Sequence, residues 1–126
     1  MMAMTSLKEM AADFIKLEHF DRGNFIRWQK KMHFLLTMLN VVYILNTSKL
    51  ESKKDEIDAD VRARQKWKND DYICRGHILN GMSHSLFDVY QKELIAKELW
   101  EKLEAHYMKE NATNKKFFIS VLIIIR

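Results

Sequence analysis

Between Asp21 and Leu45 the apolar positions fall into the clearest pattern of the chain. Phe25, Trp28, Met32, Leu35, Leu36 and Leu39 recur at intervals of three and four, the stripe of an amphipathic helix. Arg27, Lys30 and Lys31 take the other side. The spacing predicts a helix from Phe25 to about Asn40. Ahead of it lies turn chemistry: Gly23 can take positive φ, and the Asn24 side chain can cap the first helical amides. A face carrying a Trp, a Phe, a Met and several Leu is a core element on which other helices must pack.

The remaining pattern is also helical. Ser6-Leu7-Lys8-Glu9 has the form of a capping box and predicts a short helix over about residues 7–17. Val41 to Leu45 is rich in β-branched residues but has no strand to pair with, so it is expected to continue the preceding helix and pack on the core. Beyond a polar loop, Asp55 or Asp58 is expected to cap a helix reaching about Leu79, with Ile57, Val61, Trp67, Cys74 and Ile78 inward. The charges between Lys49 and Arg75 are balanced in sign, as on a solvated helix face. Asn80-Gly81-Met82-Ser83 reads as a stop and a new cap before a short helix with Leu86, Phe87, Val89 and Tyr90. Ala96, Leu99, Trp100, Leu103 and Tyr107 stripe a helix over about Leu94–Met108, with Glu93/Lys97 and Glu98/Lys102 as i, i+4 pairs. Lys109 to Asn114 reads as a loop, and Lys115 to Arg126 as a last helix or strand.

Composition supports one domain of this kind. The chain has 126 residues, no proline and 3 glycines, so helices can run uninterrupted and turn punctuation is scarce. A hydrophobic content of 48% beside 30% charged residues belongs to folded rather than disordered chains. The expected fold is all-α, a single compact domain over residues 1–126 with about five to six helices. A net charge of +4 is mildly basic and does not by itself argue for nucleic acid. The lone Cys74 excludes an internal disulfide and suits a reducing, cytoplasmic setting. Lys8, Glu9 and Asp13 interrupt any apolar run near the start, so no signal peptide is expected. Phe117 to Ile125, the longest apolar run, is too short to span a bilayer as a helix, so no membrane partner is expected.

Candidate chemistry is sparse. Cys74-x-x-His77 is half of a zinc site without a second cysteine, and His19, His33, His84 and His106 show no ligand-like pairing. Ser83, His84, Ser85 and Asp88 supply the letters of a catalytic triad, but neighbours on one short helix do not assemble that geometry. The three glycines lie too far apart for a phosphate loop. No catalytic, metal or cofactor site is expected, and no small-molecule substrate. Arg22, Arg27, Lys30 and Lys31 form a basic cluster that could meet phosphates of RNA. Trp28, Trp67 and Trp100 could stack on bases, but each sits on an apolar stripe and reads first as core.

Two stretches together resemble a family. Phe20-Asp21-Arg22-Gly23-Asn24-Phe25-Ile26-Arg27-Trp28, followed by Met32 and Leu36, resembles the start of the Gag region of plant copia-type LTR retrotransposons. That region has the pattern F-x-G-x-N-[FY]-x-x-W; here Gly23 and Asn24 are adjacent. Further on, Ala96-Lys97-Glu98-Leu99-Trp100-Glu101-Lys102-Leu103-Glu104 is similar to the family block T-A-K-E-L-W-[DE]-x-L-E, with Trp67, Asp71 and Ser83 to Asp88 falling between as the family has them. The resemblance covers about residues 14–118 and marks Asn24, Phe25, Trp28, Met32, Leu36, Trp67, Leu99, Trp100 and Leu103 as signature core positions.

It implies an all-helical, capsid-like domain, similar to a capsid N-terminal lobe, that is structural rather than enzymatic. Such domains self-associate into particles that package the element's RNA, with a zinc knuckle and the enzymes following downstream in intact elements. Self-association is expected to be weak here. Ile95 stands where the family has a helix-capping Thr, a loss of about 1 kcal/mol unless the helix starts further back, near Gln91. The apolar residues 117–126 also depart from the family's amphipathic helix, which suggests a degenerate or truncated copy. The alternative expectation is a small nucleic-acid-binding module using the basic cluster.

Overall fold

A computed structural model describes residues 19–108. The expected helix over 7–17, the loop after Met108 and the apolar stretch 117–126 lie outside the described residues. Within them the elements are α1 (Phe25–Met38), a 3₁₀ turn (Val42–Asn46), α2 (Asp58–Asn80), α3 (His84–Tyr90) and α4 (Ala96–Leu103). The last runs on into a π-helical turn, Glu104–Met108. These four α-helices make an all-α domain with no strand among the described residues. The one extended pairing is an isolated parallel bridge between Phe20 and Met82.

α1 buries the stripe expected of it: Phe25, Trp28, Met32, Leu35 and Leu36. Its start differs from expectation. Arg22 and Asn24 carry positive φ, and Gly23 does not. Asn24 stands at the N-cap in the left-handed region without a side-chain cap bond, because side-chain capping needs an extended N-cap backbone. Asn24 is also exposed and so lies outside the core.

The end of α1 shows why Val41 to Leu45 does not continue it. Asn40 takes φ 60°, the Val41 amide donates to the Leu36 carbonyl, and the Asn40 amide donates to that of Thr37. This is a Schellman stop with Asn in the place usually held by Gly, closed by buried Val41 and Leu36. The chain then re-enters the core as a separate 3₁₀ turn that buries Ile44 and Leu45.

α2 begins without a cap from Asp55 or Asp58. Asp60, in the first turn, accepts from the Ile57 amide at 3.2 Å, and Ile57 is exposed rather than inward. The buried face of α2 includes Trp67, Cys74, Ile78 and Leu79, but also Asp70 and Asp71. α2 stops at Gly81, as Asn80-Gly81-Met82-Ser83 predicts, yet the glycine is required by crowding rather than by φ. A Cβ there would stand 2.6 Å from Met32 Cε and 3.2 Å from Trp28 Nε1. The Gly81 carbonyl accepts both the Phe20 amide at 2.8 Å and the Trp28 indole N–H at 2.9 Å. The Ser83 amide returns a bond to the Phe20 carbonyl at 2.9 Å, so the residue before α1 is strapped into the α2–α3 turn.

α4 buries Ala96, Leu99, Trp100 and Leu103, with Tyr107 following on the π turn. It starts at Ala96 rather than at Leu94 or further back. Glu93 therefore precedes the helix, and its carboxylate pairs with Lys102 at 2.6 Å instead of with Lys97; Glu98 loses the partner expected for it. Phe20, Phe25, Trp28, Trp100 and Tyr107 meet as one aromatic cluster where α1, α4 and the strap converge. Phe20 lies 5.0 Å from Trp28 and 4.8 Å from Tyr107 between ring centres, and Trp28 lies 6.3 Å from Trp100.

Candidate functional site

The basic residues at the start of α1 do not form one patch. Arg22 is paired with its neighbour Asp21 at 3.0 Å, and Lys31 is half-buried on the flank of the helix. Arg27 and Lys30 remain, both exposed, around a shallow recess whose walls also include Asn24, Phe25 and Ile26. Neither makes an ion pair among the described residues. Three residues apart, they stand on the outer side of the helix, with the exposed Phe34 further along the same stripe.

The three tryptophans are closed to bases. Trp28, Trp67 and Trp100 are all buried. The Trp28 N–H is spent on the Gly81 carbonyl and the Trp67 N–H on Thr47 Oγ1 at 3.3 Å. Of the other signature positions, Phe25, Met32, Leu36, Leu99 and Leu103 are buried with them.

Cys74 is buried, and desolvation, aided by the charges of Asp71 and Asp70, pushes its thiol up to about 12. A thiol held so firmly protonated is neither a nucleophile nor a ready metal ligand. His77, one turn further along α2 and half-buried, is pushed down by burial. No cluster of three or more His, Cys, Asp or Glu able to hold a metal occurs among the described residues. Ser83 donates to Asp21 Oδ1 at 3.0 Å and lies 3.4 Å from Ser85 Oγ, while His84 points to solvent at the surface. The letters of the triad are thus not assembled into one.

Two arrangements escaped the sequence pattern. The first is Asp71, whose carboxylate reaches from α2 to accept the Ala96 amide at 2.8 Å, capping α4 where Ile95 cannot. Arg75, one turn further along α2, donates to the Glu93 carbonyl at 3.2 Å, so α2 fixes the approach to α4 at two points. Burial raises the Asp71 carboxyl above the usual carboxylate range, against the lowering effect of the Ala96 bond. The second is a buried-edge network in which Tyr43 donates to Asp70 and Lys66 donates to Asp70 at 2.7 Å, tying the 3₁₀ turn to α2. Lys66 and the Tyr43 hydrogen bond hold Asp70 below its ordinary range despite burial, so this carboxylate stays charged.

The sequence model of the family described as gag-polypeptide of LTR copia-type matches residues 32–126. The chain belongs to that family. No curated protein and no solved structure matches it. In this Gag-family chain the match starts inside α1 at Met32 and takes in every later element, including the Leu99, Trp100 and Leu103 block. The Phe20 to Trp28 block lies ahead of the match, yet it supplies three of the rings in the aromatic cluster. Family membership assigns a Gag-like structural role. No helix among the described residues is long and apolar enough to cross a membrane.

Proposed function

We propose that this Gag-family domain is a building block that associates weakly and repeatedly with copies of itself. The family match across residues 32–126 carries the reading. Supporting it is the character of the block: a core that locks all three tryptophans in place, against an outer surface with exposed apolar residues at Phe34, Val89 and Leu94. A rigid body with scattered sticky positions suits many weak contacts better than one tight one. Light scattering on the full chain, across protein concentration and salt, tests this. The expected result is a mass that rises reversibly with concentration. A monomer up to the limit of solubility would overturn it.

A second reading has one observation in its favour. Arg27 and Lys30 are exposed, unpaired among the described residues and one helical turn apart, which is a spacing that can contact phosphates of RNA. Fluorescence anisotropy with labelled RNA at several salt concentrations would show binding whose salt slope falls by about 2 in an Arg27→Ala, Lys30→Ala variant. An unchanged slope would remove this reading.

A further inference from the structure

We propose that the outer stripe of α1 in one copy of this chain docks on the outer stripe of α4 in the next, antiparallel and head to tail. The inference rests on the self-association reading above and names its surface. On α1 the outward positions run Arg27, Lys30, Phe34: two cations and then an exposed aromatic, at steps of three and four. On α4, read backwards, they run Glu101 and Glu98, two anions three residues apart, and ahead of the helix lies Leu94, the most exposed large apolar side chain among the described residues.

Laid antiparallel, the two charge series pair in register, Arg27 with Glu101 and Lys30 with Glu98, and Phe34 then points toward the approach to α4 that carries Leu94. Within each helix three residues rise about 4.5 Å, so both charge pairs can close together. Leu94 sits before the first turn of α4, with extended Ile95 between, and is open to an apolar partner.

The four charges are available for this. None of them makes an ion pair among the described residues. Lys102, next to Glu101, is engaged by Glu93, and Lys97, next to Glu98, makes no ion pair among the described residues. The buried residues of both helices lie on the opposite sides, so docking disturbs no core contact. Because the two stripes are different surfaces of one chain, a docked pair leaves one α1 stripe and one α4 stripe unused. Docked head to tail, with each copy offering its two stripes to two different neighbours, the contact propagates into a ring or an open array. Exposed ion pairs are individually weak and screened by salt, so the array forms at high local concentration and dissolves as salt rises.

Charge exchange tests the pairing. One variant of the full chain carries Arg27→Glu and Lys30→Glu; a second carries Glu98→Lys and Glu101→Lys. All four positions are exposed, so each variant should fold, which circular dichroism checks. Sedimentation velocity at low salt should show wild type associating and each variant alone reduced to monomer, with its apparent dissociation constant raised about tenfold or more. An equimolar mixture of the two variants should associate again, since each then meets the opposite charge on the other.

Variants that associate as well as wild type would overturn this surface while leaving self-association standing. Loss in each variant without recovery in the mixture would overturn the register. Wild type that stays monomeric would overturn the self-association reading and this proposal with it. A first variant that loses RNA binding while its association is intact would assign the α1 stripe to nucleic acid instead.

Discussion

Replacing Asp71 should expose how much of α4 depends on α2. The Asp71 carboxylate accepts the Ala96 amide at 2.8 Å, and Ile95 at the N-cap has no side-chain oxygen to offer in its place. Both Asp71 and Ala96 are buried, so Asp71→Ala leaves an amide without water or protein to bond. Loss of a helix cap costs about 0.5–2 kcal/mol, and a buried donor left unsatisfied about 1–3 kcal/mol. These overlap, and the expected loss is about 2–3 kcal/mol in all. Asp71→Asn keeps an oxygen where the bond needs it and should lose about 1 kcal/mol or less at neutral pH.

The pH dependence separates the charge from the bond. Burial raises the Asp71 carboxyl in the folded chain, so across the interval between its unfolded value and the raised one the folded state binds more proton. Stability contributed by this group is full below the unfolded value and declines as pH rises through the folded one. Asp71→Asn should remove that decline. Urea unfolding followed by tryptophan fluorescence, repeated from acid to neutral pH, measures all three chains, since the three indoles are buried. If Asp71→Ala matches wild type within about 0.5 kcal/mol, the tertiary cap contributes nothing and the reasoning fails.

Other perturbations have equally definite outcomes. Gly81→Ala drives a methyl into Met32 Cε and should destabilise by about 1–3 kcal/mol, with part of the loss returned by Met32→Ala in the same chain; a double-mutant cycle in urea that finds the two losses additive would refute the clash. Asn40→Ala forces Cβ strain at φ 60° and should cost about 1 kcal/mol, while Asn40→Gly should equal or exceed wild type in thermal melts; the reverse order would refute the Schellman stop. Cys74, with its thiol near 12 and buried, should resist a disulfide reagent in the native chain and react at once in denaturant; prompt native labelling would contradict its placement.

The parts of this fold that could be read from sequence are those whose information is local. The stripe from Phe25 to Leu36 and that from Ala96 to Leu103 follow from spacing alone, because a helix puts every third or fourth residue on one side. Asn80 to Ser83 announced its turn through Gly81, although the reason for the glycine proved to be the tip of Met32, and Ser83, at the N-cap of α3, spends its hydroxyl on Asp21 instead of capping the helix. What escaped depends on partners distant in the chain. Asp71 looks like one more charge on a balanced helix until Ala96 is placed above it. Glu93 seems paired with Lys97 until the helix is seen to begin three residues later. The stop at Asn40 is intermediate, since its amide side chain tolerates left-handed backbone but does not demand it. The basic cluster shrank for a similar reason, Arg22 being paired with a neighbour and Lys31 turned partly inward.

The strap at Phe20 bears on how the chain comes to be folded during its synthesis. The Trp28 indole waits for a carbonyl 53 residues later, and Asp21 for a hydroxyl 62 residues later. At ordinary translation speeds that interval lasts roughly 3–12 s. Throughout it α1 can form, but its aromatic side has no lid, and Phe25 and Trp28 face the cellular milieu. The domain closes late and from the front, only when the turn at Gly81 and then the rings of Trp100 and Tyr107 have been made. A pause in synthesis between α1 and α4 would therefore lengthen the one period in which this chain is open to the wrong partner.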